Sequence, residues 1–312
     1  MPAPAVAGAV ALVAAALFLG LYASSPGGRT DAAQAAPWRK APAMSQRRSY
    51  VAAAEWGGKI YVAGGMVGEA GRHLAVFQRF DPARGVWETL PRLPEPVRAG
   101  AGAALDGRVF VIGGKTPNGG GRQVFAYDVA QRRWESRAPL PRARYNHSAV
   151  ALGGKVYVLG GIGGHEERSE LFVYDPRSDS WSEATALSGR AHAFGAVAFR
   201  GRIWTIGGRR DGHVLRAVWT YDPSTRRWAR GPSLPKPMEL LGATVAGDEI
   251  HAVWERTYQI YDAASGTWRQ GPVPLLTRHA LAAFAVGGSL YTVGGCTTAL
   301  QDTSAVERRD LA

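Results

Sequence analysis

Apolar and polar residues are distributed along this chain in two different ways. From Ala5 to Ala23 (AVAGAVALVAAALFLGLYA) no position is charged, and at 1.5 Å per residue such a run would make a helix about 28 Å long, close to the hydrocarbon thickness of a bilayer. From residue 37 onward the apolar residues come instead in short runs bounded by Gly-Gly, Asp-Gly or Asp-Pro. Short apolar runs between turn signals predict β-strands and argue against an all-helical fold.

The first segment is read as a signal peptide or an N-terminal membrane anchor (1–23) followed by a linker (24–36). Its flanks leave cleavage and orientation open. No Lys or Arg precedes the run, Leu21-Tyr22-Ala23 is a mediocre cleavage site, Ala33-Gln34-Ala35 lies far downstream, and the first basic residues, Arg29, Arg39 and Lys40, follow it. Positive charge on that side favours a cytoplasmic remainder. Export is nevertheless the reading adopted, with the rest of the chain extracytoplasmic: periplasmic, secreted or membrane-anchored.

The strand-forming part repeats. Trp38, Trp87, Trp134, Trp181, Trp228 and Trp268 are spaced 49, 47, 47, 47 and 40 residues apart, a period typical of repeat architectures. Seven residues before five of them stands an aromatic followed by Asp (Phe80, Tyr127, Tyr174, Tyr221 and Tyr261), in segments such as FDPARGVW and YDPSTRRW that carry type I turn chemistry. Further upstream an apolar strand ends in a glycine pair: Gly64-Gly65, Gly113-Gly114, Gly160-Gly161, Gly207-Gly208 and Gly294-Gly295; the fifth unit reads HAVWER instead. A tight turn precedes each of these strands, at Gly57-Gly58, Asp106-Gly107, Gly153-Gly154, Arg200-Gly201, Gly247-Asp248 and Gly287-Gly288. Each unit therefore has four strands, predicted in the third unit at 146–151, 155–161, 170–175 and 180–184.

The glycine pair, the aromatic-Asp-Pro turn and the in-register Trp together resemble the kelch repeat over residues 37–310. This resemblance implies an all-β, six-bladed kelch-type β-propeller, each blade a four-stranded antiparallel sheet. WD40 is disfavoured, because its period is shorter and no Gly-His or Trp-Asp pair stands in register. The chain ends complement each other: the first Trp has no preceding glycine pair and the last unit no following Trp. Residues 37–41 are thus expected to supply the last blade's fourth strand, closing the ring and removing exposed edges. The repeated Trp and Tyr are read as core between blades, the glycine pairs as backbone that needs positive φ and close approach.

Composition adds limits. The single cysteine, Cys296, excludes an intrachain disulfide framework and any thiolate cluster. A balance of 37 Lys+Arg against 25 Asp+Glu gives a formal charge of +12, which suits acidic partners. Arg is used far more than Lys beside heavy Ala, a pattern GC-rich codons produce without selection for binding, and no nucleic-acid partner is expected.

Propellers bind through loops gathered at one end of the channel, and the resemblance implies that the loops linking successive blades share a face with those after the glycine pairs. An arginine recurs nine to eleven residues after the Trp: Arg48, Arg98, Arg144, Arg190 and Arg278. Such a ring would focus positive potential and hold carboxylate, phosphate or sulfate in bidentate geometry; alternatively these arginines bond loop carbonyls. The fifth unit departs from the series with Met238-Glu239 and Glu255-Arg256, while Tyr50, Asn146, His147, His192 and His279 stand in the same windows. The candidate ligand-binding residues are Arg48, Arg98, Arg144, Asn146, Arg190, His192, Glu239, Glu255, Arg256, Arg278 and His279. The polar loops 165–170 and 209–216 are rim contacts at best.

No Gly-x-Ser-x-Gly, His-Glu-x-x-His or Walker glycine-lysine pair occurs, and neither metal nor cofactor is predicted. Resemblance to bacterial kelch mutarotases or epimerases of sialic acid implies an arginine clamp on a sugar carboxylate, with an acid/base pair drawn from Glu239, Glu255, His192 and His279. Resemblance to the galactose oxidase propeller implies copper held by two His and two Tyr with a crosslinked Cys, for which Cys296 is the counterpart; the chain is too short for that enzyme's additional domains, and a buried inert thiol is expected. The reading adopted is a monomeric propeller that binds an acidic glycan or acidic protein segment, with the sugar mutarotase or epimerase as the alternative.

Overall fold

A computed structural model describes residues 37–119, 121–297 and 301–311; the apolar run and its linker lie outside the described residues. Six four-stranded antiparallel sheets form a ring, in keeping with the sequence periodicity. Blade 1 consists of Ala52–Trp56, Lys59–Ala63, Phe77–Asp81 and Val86–Leu90. Blade 3 consists of Ser148–Leu152, Lys155–Leu159, Leu171–Asp175 and Ser180–Ala184, close to the predicted bounds. Blade 6 takes Ala282–Val286, Ser289–Val293 and Val306–Asp310 from one end of the chain and Arg39–Ala41 from the other. Arg39 faces Arg308, Lys40 faces Glu307 and Ala41 faces Val306, so the N-terminal strand closes the ring. No helix among the described residues is long and apolar enough to cross a membrane.

The first strand of each blade lines the channel, whose bore of about 440 Å³ is walled chiefly by Ala and Gly. Small residues are required there because the inner strands nearly touch: a Cβ at Gly102 would stand 2.3 Å from the Ala53 carbonyl oxygen.

Between blades the repeated aromatics form the core. Trp87 stacks on Phe80 at 5.0 Å, and Trp134, Trp181, Trp228 and Trp268 pack on Tyr127, Tyr174, Tyr221 and Tyr261 at 5.0–5.5 Å. Each indole N–H also donates, at 2.8 Å, to a carbonyl of the preceding blade: Trp38 to Pro272, Trp87 to Pro42, Trp134 to Pro91, Trp181 to Ala138, Trp228 to Thr185 and Trp268 to Pro232. The Trp is thus both a packing surface and a polar clasp.

The segments rising after the glycine pairs were expected to be loops. Three fold back as minimal hairpins, Met66–Val67 with Arg72–His73, Ile162–Gly163 with Glu166–Glu167, and Arg209–Arg210 with His213–Val214. Two-residue strands are too short to leave a periodic signature. Each rising segment is held to its blade's linking loop by two backbone hydrogen bonds: the amides of Leu93 and Val97 donate to Ala75 and Leu74, with counterparts from Leu140 and Arg144, Leu187 and Ala191, Leu234 and Met238, and Met44 and Arg48. Blade 5 has no such segment, because Glu249–Trp254 turns directly into Thr257–Asp262.

Candidate functional site

Counted from the tryptophans, the linking loops present three registers at the channel mouth. Ten residues on stand Arg48, Val97, Arg144, Ala191, Met238 and Arg278, all buried. The arginines among them reach forward and brace the blade that follows. Arg48 donates to the carbonyls of Gly64 (3.3 Å) and Val76 (2.9 Å) and to Gln78 Oε1 (2.8 Å). Arg144 donates to the Gly160 carbonyl (2.9 Å). Arg278 donates to the Gly294 carbonyl, Thr292 Oγ1 and Glu307 Oε2 at 2.6–2.7 Å. Burial pulls Arg48 down to about 9 and Arg144 to about 10, values that keep both charged at neutral pH.

The expected arginine ring is therefore corrected: Arg48, Arg144 and Arg278 are fastened to the carbonyls of the glycine pairs and present no guanidinium to a ligand. Arg190, nine residues after its Trp, is exposed outside these registers, and its carbonyl accepts from Arg210 Nε at 2.8 Å. The physical reason is orientation, since a shift of one residue in extended chain turns a side chain to the opposite side.

Twelve residues on, Tyr50, Ala99, Asn146, Ala193, Leu240 and Ala280 all have positive φ, between 45° and 57°. Their backbones form a closed cycle in which each amide donates to the carbonyl of the preceding member, at 2.7–3.2 Å. Eleven residues on, around this cycle, stand Ser49, which is buried, and the half-buried Arg98, Tyr145, His192, Glu239 and His279. Five of these six pair with the residue after a glycine pair: Ser49 with Met66, Arg98 with Lys115, Tyr145 with Ile162, His192 with Arg209 and His279 with Cys296.

The Arg98–Lys115 pair shapes a cavity of about 200 Å³ lined by Tyr50, Met66, Arg98, Ala99, Lys115, Tyr145 and Asn146. Arg98 Nη1 rests 3.2 Å from Met66 Sδ, and Lys115 Nζ lies 4.1 Å over the Tyr145 ring. Among the described residues neither cation has an ion pair. Their field adds to burial in holding nearby His73 below its ordinary pKa. Lys115 and Tyr145 were not singled out from the sequence; the position directly after the glycine pair was the available signal.

The sequence profile of the KLHDC2/KLHL20/DRC7 Kelch-repeats domain matches residues 50–253, well over half of the chain. The chain belongs to the kelch-repeat family. Kelch-like protein 33 of Homo sapiens is 34% identical over 77 residues, 25% of this chain and 14% of that protein. Alpha-scruin of Limulus polyphemus is 34% identical over 85 residues, 27% of this chain and 9% of the relative. The kelch chain thus matches only a small part of either relative's length. In fold it is similar to the solved "Structure of YjhT", with a TM-score of 0.75 at 16% identity over 85% of this chain and 95% of that one. Kelch propellers typically serve as protein-binding scaffolds.

Across the kelch mouth from Arg98, blades 3 to 5 bring together acids and bases that pair with one another. Arg209 Nη1 donates to Glu239 Oε1 at 2.8 Å, and His192 Nδ1 lies 3.2 Å from Glu167 Oε1. Burial lowers the His192 pKa, opposed by Glu167 and Glu239. Glu255 occupies the place of the second glycine, its amide donating to the Arg278 carbonyl at 2.6 Å, and Arg256 beside it is exposed. Cys296 Sγ sits 3.1 Å from His279 Nε2, but burial and then Asp302 push the thiol up to about 11, which leaves it protonated and a poor nucleophile. Among the described residues no three His, Cys, Asp or Glu side chains are grouped to hold a metal ion.

Proposed function

We propose that this kelch propeller is an extracytoplasmic binding module that captures an acidic group, presented by a partner protein or an acidic glycan, in the cavity between Arg98 and Lys115. The observation that carries this reading is that both cations line one cavity without an acidic partner among the described residues. Such cations gain most from an incoming carboxylate or sulfate, with Asn146 and the Tyr50 and Tyr145 rings at hand for hydrogen bonding and packing. The extracytoplasmic placement rests on the uncharged run at residues 5–23.

The test is titration of residues 37–312 with poly-glutamate and with an acidic-glycan array. Saturable binding that weakens as salt is raised is expected, with Arg98→Ala and Lys115→Ala each losing about 1–3 kcal/mol of affinity while Arg190→Ala loses none. Full affinity in the Arg98→Ala/Lys115→Ala double variant would overturn it. The His192–Glu167 pair supports a second reading, an acidic-sugar mutarotase or epimerase in which a neutral imidazole moves the ring proton. That reading requires accelerated anomer exchange, lost in His192→Gln; exchange at the uncatalysed rate eliminates it.

A further inference from the structure

Blade 5 leaves the rim of the mouth open. In the other blades the rising segment covers the linking loop and accepts from amides six and ten residues after the Trp. In blade 5 the Glu255-Arg256 turn replaces that segment, and Pro274, which has no N–H, stands where the other linking loops carry Met44, Leu93, Leu140, Leu187 and Leu234. Donor and acceptor are thus missing together. The loop beside the gap exposes Val273 and Leu275 by 51% and 47%, and among the described residues Val86 is the only other large hydrophobic so exposed. Elsewhere the same two places hold Ala43 and Ser45, Arg92 and Pro94, Pro139 and Pro141, Ala186 and Ser188, or Ser233 and Pro235.

Of the charges beside the gap, Glu255 is half-buried on the turn and the exposed ones are positive. Arg256, on the turn, and Lys236, whose backbone is bonded to Gln259 of blade 5, are both exposed. The geometry points to this gap as a docking site for an extended segment of a separate protein with alternating acidic and aliphatic residues, lying where the missing segment would be. Alternation puts aliphatic side chains on Val273 and Leu275 and carboxylates toward Arg256 and Lys236. Branched aliphatic side chains give a sugar no flat face to stack on, which favours a polypeptide. In the order of six blades this gap lies opposite blade 2, so the site does not depend on the Arg98–Lys115 cavity.

The test uses two fluorescein-labelled peptides of equal charge, each about ten residues long to span a blade, one alternating Asp-Leu and one alternating Asp-Ser. Fluorescence anisotropy is expected to show the Asp-Leu peptide binding at least about tenfold tighter. Val273→Ser/Leu275→Ser should bring that ratio close to one, and Arg256→Ala should weaken both peptides. The ratio should persist in the Arg98→Ala/Lys115→Ala chain, which separates this site from the cavity. Equal affinities for the unaltered protein, or a ratio untouched by Val273→Ser/Leu275→Ser, would overturn the inference. So would concentration-dependent dimerisation that the same double substitution abolishes, since a second copy would then be the occupant.

Discussion

The amide of Tyr50 donates to the carbonyl of Ala280 at 3.2 Å, joining the first linking loop to the last. With that bond the six positive-φ residues become a cycle with no free end, and the rim of the mouth is fixed by backbone rather than side chains. Their side chains can therefore vary, as Tyr50, Asn146 and Leu240 do beside three alanines.

The cycle makes a conformational prediction at Ala99, half-buried with φ 55°. Ala99→Gly should leave stability unchanged or raise it by up to ~1 kcal/mol, because left-handed backbone no longer strains a Cβ. Ala99→Val should cost ~2 kcal/mol or more, since β-branching is worst at positive φ. Urea midpoints check both; indifference to valine would mean that the φ is not held.

Closure of the ring depends on Trp38, which is 4% exposed, meets Tyr258 edge-on at 5.6 Å and bonds the Pro272 carbonyl. Trp38→Ala is expected to cost ~3–5 kcal/mol. Deleting residues 37–44 removes the strand as well as the clasp, and should give aggregation or a sharply lowered melting temperature. A soluble monomer with an unchanged melting temperature would contradict closure.

Arg278 and Glu307 form an ion pair buried on both sides, at 2.6 Å. Arg278→Met strands a buried carboxylate and should cost ~3–5 kcal/mol. Arg48→Met takes a donor from only the neutral Gly64 carbonyl and Gln78 Oε1, while the Val76 carbonyl keeps the Gly64 amide, and should cost less, ~1–3 kcal/mol. Adding Glu307→Leu to Arg278→Met should recover most of the loss. If the double variant is no more stable than the single one, the charge left behind is not the cause.

The architecture was legible because its signals are residue types that recur: a Trp that must clasp the preceding blade, glycines that must turn, an end lacking what the other end supplies. The site was only half legible. Arginines nine, ten and eleven residues after the Trp look alike in sequence, yet Arg190 is exposed, Arg48, Arg144 and Arg278 are braces, and Arg98 alone faces the mouth. The spread in spacing was itself the sign that three orientations were mixed. Lys115 and Arg209 were harder to find, because the bridges that bring them to Arg98 and His192 span 17 residues and carry no motif.

Two buried histidines should make the propeller acid-labile well above the carboxylate range. His147 occupies the place that Phe194, Leu241 and Leu281 fill in the later loops; it is 7% exposed, with the Ile112 backbone as its hydrogen-bond neighbour. Burial, with Arg144 adding to it and the Ile112 backbone opposing it, lowers its pKa from 6.5 to about 3. His251, 1% exposed with Nδ1 2.6 Å from the Tyr258 hydroxyl, is lowered by burial and then by Arg309 and Arg269 to about 4. Because the folded-state values lie below the unfolded one, the unfolded chain binds more protons as pH falls. Stability is then full above about pH 6.5 and declines toward pH 3–4, by on the order of 2–3 kcal/mol per histidine between pH 7 and 4. His147→Leu should remove one share of that slope and raise stability at pH 7, since an apolar side chain suits the site better than a buried imidazole held by backbone alone. Urea unfolding of both proteins at pH 7, 5.5 and 4 decides it: parallel pH profiles, or a variant weaker at pH 7, would mean that the contact with the Ile112 backbone outweighs the cost of burying the His147 ring.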